Sequence, residues 1–183
     1  MSREVTDLKE YHINTENLRE IIPQLVAGDR VYLTGTVYTA RDAAHKRLKE
    51  AINEGKELPI DINGAVVYYA GPTPAPESLP IGSCGPTTSS RMDAFAPMLM
   101  DRGLVAMIGK GPRSKEVIES IVKNGCVYFC AVGGAGALAA QCVRSCEVVA
   151  YDDLGCESVK RLEVENFSVI TAIDSRGTSL FNR

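Results

Sequence analysis

Residues 104–132 read LVAMIGKGPRSKEVIESIVKNGCVYFCAV. An apolar run at 104–108 precedes SKEVIESIVK at 114–123, where Val117, Ile118, Ile121 and Val122 recur at helical spacing and point inward. A second apolar run follows at 126–132. Two short apolar runs around an amphipathic segment predict strand–helix–strand, the unit of a parallel sheet. The pattern extends both ways. Downstream, 135–145 reads as a helix, 147–151 as a strand, and 161–165 with 168–173 as two closing strands in a hairpin. Upstream, 65–70 (AVVYYA) is an apolar strand, and 30–38 (RVYLTGTVY) alternates and is rich in β-branched residues. Thr39, with Asp42 three residues later, has capping-box spacing and opens a helix that runs to about Glu54 and stops at Gly55. Ala44, Leu48, Ala51 and Ile52 form its inward stripe. Residues 15–27 predict a short helix after a Thr15 cap, disturbed by Pro23. The alternation predicts an α/β fold with parallel pairs, and the strand-rich ends predict antiparallel edges or a second sheet.

A chain of 183 residues makes one domain, 1–183, large enough to bury a real core. Apolar residues make up 45% and charged residues 23%, a globular composition. The net charge of −3 argues against a general nucleic-acid binder. No apolar run approaches the ~20 residues of a membrane span. The start, MSREVTDLKEYHIN, holds no apolar stretch of a secretion signal. Six cysteines in such a chain are expected to be reduced thiols in the cytoplasm rather than a disulfide framework.

Chemistry concentrates in a few places. Residues 71–93 form a long irregular stretch with five of the nine prolines, and long ordered loops tend to be functional. Within it, Gly85-Pro86 leads into four hydroxyls, Thr87, Thr88, Ser89 and Ser90, and then Arg91. Hydroxyls and free backbone N–H groups at a helix start suit a carboxylate or phosphate, where one cap would serve an ordinary turn. Pro97 marks the first turn of a further helix. Arg41 falls in a first helical turn, where a cation opposes the helix dipole, so it is either a solvated arginine or half of an anion site. Lys110 lies between Gly109 and Gly111 just after an apolar strand, where α/β sheets place ligands; a plain turn lysine explains it equally well.

The cysteines do not make a metal site. Cys126 and Cys130 lie in one strand, roughly 13 Å apart. Cys142 and Cys146 share a helix face, but two thiols do not complete a coordination shell. Cys84, beside the hydroxyl run, is the one to watch. His45 lies four residues after Arg41 on one helix face, a placement more often structural than catalytic. A different class of function is raised by Gly134–Ala139 (GAGALA), which fits the dinucleotide-binding fingerprint between a strand and a helix, with Asp152 eighteen residues on. Too little chain follows for the other strands of that fold, and small residues for close helix–strand packing are the plainer account.

Together these segments resemble the iron–sulfur-dependent (class I) fumarate hydratase and L-tartrate dehydratase family, in its β subunit or C-terminal region. The resemblance rests on Thr34-Gly-Thr with 40–45 (ARDAAH), on 70–75 (AGPTPA), on 85–93 (GPTTSSRMD) as the most specific match, and on Gly109-Lys110-Gly111, 133–135 (GGA) and 162–167 (LEVENF) in order. Gly136 departs from it, where alanine is expected. The resemblance implies a three-layer swivelling β/β/α domain with a mixed sheet. It implies a hydro-lyase β subunit, for fumarate hydratase first and L-tartrate dehydratase as the alternative, active only with an α subunit in a larger oligomer. It further implies a [4Fe-4S] cluster held by three α-subunit cysteines, one iron serving as Lewis acid, with no metal ligand in this chain. Thr87 corresponds to the base, and Arg41, Arg91 and Lys110 to residues that hold a dicarboxylate. Neither nucleic acid nor membrane is implied as a partner.

Overall fold

The computed structural model describes residues 8–131 and 136–182. In chain order the elements are β1 (Glu10–Asn14), α1 (Leu18–Ile21), β2 (Arg30–Thr39), α2 (Asp42–Asn53), β3 (Val66–Tyr68), α3 (Ala96–Met100), β4 (Ala106–Gly109), α4 (Lys115–Asn124), β5 (Val127–Ala131), α5 (Gly136–Gln141), β6 (Val143–Ala150) and β7 (Val159–Ile173). Short 3₁₀ segments include Ser89–Met92 and Asp152–Glu157. The fold is α/β, with seven strands in one mixed sheet ordered β1-β2-β3-β4-β5-β7-β6. Strands β1 to β5 pair in parallel, while β7 is antiparallel to β2, β5 and β6. Because β7 bonds to both β2 and β5, the circuit β2-β3-β4-β5-β7 closes on itself.

Period two divides the central strands between two cores. Val66, Tyr68, Ala106, Ile108, Val127 and Phe129 face one way, with Leu33, Val37 and Val169. Val67, Tyr69, Met107 and Tyr128 face the other, against Leu48 of α2, Leu99 of α3 and Ile121 of α4. Parallel strands covered on both faces read as continuous apolar runs, which is why 104–108 and 126–132 show no polar alternation. Full burial of a side chain such as Leu48 or Ile121 contributes about 1.5–3 kcal/mol. The strand–helix–strand unit fits its local chemistry. Ser114 caps α4 by accepting from Val117 N–H at 3.3 Å, and Gly125 ends it at φ 64°.

Several expectations need correction. Thr39 is no helix cap: it is buried in β2, its Oγ accepts from Lys160 N–H at 3.2 Å, and the residue ahead of α2 is Arg41. Along α2, His45 is buried with Ala44 and Leu48, whereas Ala51 and Ile52 are half-buried. Val122 of α4 is exposed. Asn14, not Thr15, caps the turn before α1, accepting from Glu16 N–H. The helix expected over 135–145 stops at Gln141, because 143–150 pairs with β7 as an edge strand. Cys142 and Cys146 therefore share no helix face. The closing hairpin is instead one fifteen-residue strand. Its apparent break is a bulge at Asn166 (φ 52°), whose N–H reaches Thr34 Oγ at 3.1 Å.

The dinucleotide reading fails on topology. Strand β6 pairs antiparallel with β7 and not with β5, so no parallel crossover unit exists there. Gly134 itself lies outside the described residues, as does the 133–135 stretch. A side chain at Gly136 would collide with Ser83 Oγ and come within 3.1 Å of Gly85 N. No helix among the described residues is long and apolar enough to cross a membrane.

Gly109, the last residue of β4, has no room for a Cβ: one would overlap Ser89 Oγ and lie 2.9 Å from Tyr69 Cδ2. Gly109→Ala is expected to destabilise the chain by about 1–3 kcal/mol, as overpacking does, read from the urea midpoint at unchanged slope.

Candidate active site

Parallel strands in an α/β sheet leave a crevice beyond their carboxyl ends, where the chain turns away and backbone groups are free. Here β2, β3 and β4 are neighbours and end close together. Arg41 lies two residues past β2, and Ala40 N–H donates to Tyr68 O at 3.1 Å. Lys110 directly follows β4. The hydroxyl run is stitched onto the same ends. Thr87 N–H donates to Tyr69 O at 2.7 Å, Thr88 bridges Lys110 in parallel, and Ser89 N–H donates to Lys110 O at 2.9 Å. All four residues singled out in the sequence are thus brought to one end of three adjacent strands. Thr87 is half-buried; Arg91 and Lys110 are exposed.

The two arginines meet through a carboxylate that sequence reading passed over. Asp42, the first residue of α2, accepts from Arg91 Nε at 2.7 Å and lies 3.6 Å from Arg41. Burial raises the Asp42 carboxyl, but its own backbone N–H and the Arg91 guanidinium outweigh this and hold it below the usual range. Arg41 also lies 3.5 Å from Glu157. The segment carrying Glu157 is held by Lys160, whose Nζ donates to Gly155 O, Cys156 O and Ser158 Oγ at 3.0, 3.1 and 2.7 Å. Gly71 seats the arginine, since a Cβ there would approach Arg41 Cδ at 3.3 Å and Cys156 O at 3.2 Å. The turn carrying Arg91 is 3₁₀ rather than α, so the hydroxyls do not cap a long helix.

Beneath these residues lies a buried polar layer. Arg113 has a fully buried side chain and donates from Nε to Asp93 at 2.6 Å. Its guanidinium sits 5.3 Å over the Tyr69 ring and 4.8 Å over the Tyr128 ring. Asp93 also accepts from Ser114 N–H at 2.7 Å, so one carboxylate ties the hydroxyl segment to the start of α4. Burial pushes the phenols of Tyr69 and Tyr128 up, so both stay protonated. His45 is buried too, with Tyr69 and Phe95 against its ring. Nδ1 lies 2.8 Å from Arg41 O, which only accepts, so Nδ1 carries the hydrogen.

The remaining candidates are inert. Burial pushes the Cys84 and Cys126 thiols up to about 12. All six cysteines are free, and among the described residues no group of three or more His, Cys, Asp or Glu side chains could hold a metal ion. An apolar cavity of about 230 Å³, lined by Tyr68, Leu138, Cys142 and Phe167 among others, contains none of the four singled-out residues. The arrangement around Arg41 is suited to anions: three cations beside a row of hydroxyls, partly neutralised by Asp42 and Glu157.

Comparison with known proteins adds the family. The model for the fumarase C-terminus matches residues 1–183. The chain is 41% identical over 171 residues to the anaerobic class I fumarate hydratase of Escherichia coli, covering 91% of this chain and 31% of that protein. It is 42% identical over 156 residues to the mitochondrial fumarate hydratase 1 of Leishmania major, covering 84% and 28%. A Methanocaldococcus jannaschii protein with the provisional name L(+)-tartrate dehydratase subunit beta is 39% identical over 178 residues, covering 94% of this chain and 91% of that protein. The chain therefore spans about a third of the fumarate hydratases it matches.

Buried His45 gives the site region a pH signature. Burial, aided by Arg113 and opposed by Arg41 O and Asp42, lowers it from 6.5 to about 4. Between these values the unfolded chain binds the proton and the folded chain does not, so stability rises with pH from about 4 to 6.5 and levels off above. His45→Asn is expected to remove on the order of 3 kcal/mol of that rise, measured as the difference between urea unfolding free energies at pH 4.5 and 7 in the two proteins.

Proposed function

This chain belongs to the fumarase C-terminal family, and on that premise we propose that it supplies one wall of the active site of an iron–sulfur-dependent hydro-lyase. The reaction is the reversible hydration of fumarate to L-malate, with L-tartrate dehydration as the second reading. The other wall, in this reading, belongs to a separate cluster-bearing α subunit. What supports a separate partner is the match to a β subunit along nearly its whole length, while the longer fumarate hydratases are matched over a third. The same membership carries the reading of the fold as a three-layer swivelling β/β/α domain. Helices α2 to α4 over one face, and β6 and β7 against the other, support it. Six free thiols suit a cytoplasmic location.

Among the described residues, no ligand set fits a [4Fe-4S] cluster. The chain's cysteines are scattered, and Cys84 and Cys126 are buried thiols pushed up to about 12, far from the thiolate that a cluster needs. In this reading, as the family membership implies, cluster ligation falls to the α subunit, and the chemistry of this chain is binding and proton transfer.

The observation that carries the reading is the convergence of Arg41, Thr87, Arg91 and Lys110 on the carboxyl ends of β2, β3 and β4. A dicarboxylate presents two charged forks. Guanidinium groups match such a fork in a bidentate way, and Arg41 and Arg91 stand side by side across Asp42. Lys110 holds the second carboxylate as a point charge. In the dehydration direction Thr87 Oγ, its own hydroxyl proton already released to solvent, takes the proton from the carbon next to a carboxylate and returns to the neutral hydroxyl. The electron pair spreads into that carboxylate, which the nearby cations stabilise. The hydroxyl leaves the neighbouring carbon with a proton from an acid of the partner as the double bond forms. A threonine hydroxyl is a weak base, and the cations beside it lower the cost of losing its proton.

Assembly with a cluster-bearing α subunit tests this directly. The chain alone is expected to turn over neither malate nor tartrate, and the assembled enzyme to prefer malate. Thr87→Ala lowers kcat by at least about 10²-fold at near-normal KM. Arg91→Ala raises KM as well, because each charged hydrogen bond is worth about 1.5–3 kcal/mol. Full turnover by the chain alone, or by Thr87→Ala in the assembly, contradicts the assignment.

A further inference from the structure

Three of the four hydroxyls in the 87–90 run are at least partly exposed, but Ser89 is fully buried. Its Oγ accepts from Lys110 N–H at 3.0 Å, and its own N–H donates to Lys110 O at 2.9 Å. Tyr128, reaching up from β5, places its Oη 2.8 Å from Ser89 Oγ and 2.8 Å from Gly111 O. Gly111 O only accepts, so the phenol hydrogen goes there, and the Ser89 hydrogen goes to Tyr128 Oη. The order is fixed: Lys110 N–H to Ser89 Oγ–H to Tyr128 Oη–H to Gly111 O. The chain of bonds leaves the backbone at Lys110 and returns one residue later, so it closes a ring around that peptide.

Lys110 is exposed and flanked by glycines, and Gly111 sits at φ 82°. Without the ring, the turn keeps the Ser89 N–H bond to Lys110 O, but its glycines leave the Lys110 N–H and the Lys110–Gly111 peptide more freedom to re-aim the side chain. The ring is itself held rigid. Arg113 stacks over Tyr128, and Gly109 leaves the space that Ser89 Oγ fills.

We propose that Ser89 and Tyr128 are positioning residues for the dicarboxylate site, fixing the Lys110 peptide so that its ammonium faces the carboxylate beside Thr87. The proposal rests on the hydro-lyase reading above and adds to it two residues that touch no substrate. Ser89, in the middle of a row of apparent anion-binding hydroxyls, serves the backbone instead.

The test is a double-mutant cycle in the assembled enzyme. Tyr128→Phe and Ser89→Ala are each expected to lower kcat/KM about tenfold, since small misplacements of a binding group are costly. In a Lys110→Ala background neither should lower it further, because both act through Lys110. A merely structural role would multiply instead. A tenfold loss that persists in the Lys110→Ala background overturns the proposal, as does a Tyr128→Phe enzyme within twofold of the unsubstituted one. Tyr128→Phe keeps the buried ring and carries the test where Ser89→Ala does not fold. Amide hydrogen exchange of Lys110 in the chain alone gives an activity-free readout: both substitutions should speed it. An unsubstituted assembly with no turnover of any dicarboxylate defeats the hydro-lyase reading. The exchange rates then decide the ring by themselves, faster exchange supporting it and unchanged exchange overturning it.

Discussion

The buried ion pair between Arg113 and Asp93 is the constraint on which the site end of the molecule depends. The Arg113 side chain is shut off from solvent, so its charge must be met from within. Asp93 meets it at 2.6 Å, and two tyrosine rings cover the guanidinium faces. Removing either partner would strand a buried charge, at a cost of about 3–5 kcal/mol. The pair also fixes topology. Asp93 ends the turn that carries Arg91, Tyr69 leaves β3, Tyr128 leaves β5, and Arg113 precedes α4. Four segments are thereby locked around one cation, and the hydroxyl run has a single place to lie.

Above that layer the charges are balanced rather than satisfied. Asp42 and Glu157 face Arg41 and Arg91 at 2.7 to 3.6 Å, at partly exposed positions where such pairs contribute little. On the proposed function, a well-placed dicarboxylate would compete for the guanidinium groups without dismantling the fold. The buried layer gives rigidity and the exposed layer gives exchangeable partners. That division is what a binding surface for a small dianion requires.

Much of this was legible in the sequence, for physical reasons that also explain the failures. Strands β2, β4 and β5 were visible because burial on one or both faces demands apolar, β-branched runs. Helix α4 was visible because both its ends carry the residues its backbone needs, Ser114 and Gly125. Strand β1 was missed because only Ile13 of its five residues is buried. Only the second half of β6 was legible, as a strand over 147–151; its start at 143–145 was taken into the preceding helix because an edge strand half open to solvent shows little alternation, and the small residues before it favour helix. Thr39 misled because a cap and a buried strand hydroxyl look alike in sequence. Arg41, Thr87, Arg91 and Lys110 could be picked out by motif. Asp42 and Asp93 lay within the same motifs but their ion pairs did not show there, and Arg113 and Tyr128 had no motif, since bonds joining residues as far apart as Ser89 and Tyr128 leave no local trace.

The central claim is that these four residues form one dicarboxylate site completed by another subunit. A crystal structure of the assembled enzyme with a bound dicarboxylate tests it most directly. The account predicts one carboxylate between the guanidinium groups of Arg41 and Arg91, the other within hydrogen-bond distance of Lys110 Nζ, and Thr87 Oγ facing a carbon between them. A dicarboxylate bound away from the carboxyl ends of β2, β3 and β4, or one that engages Lys110 while both arginines stay paired to Asp42 and Glu157, would contradict it.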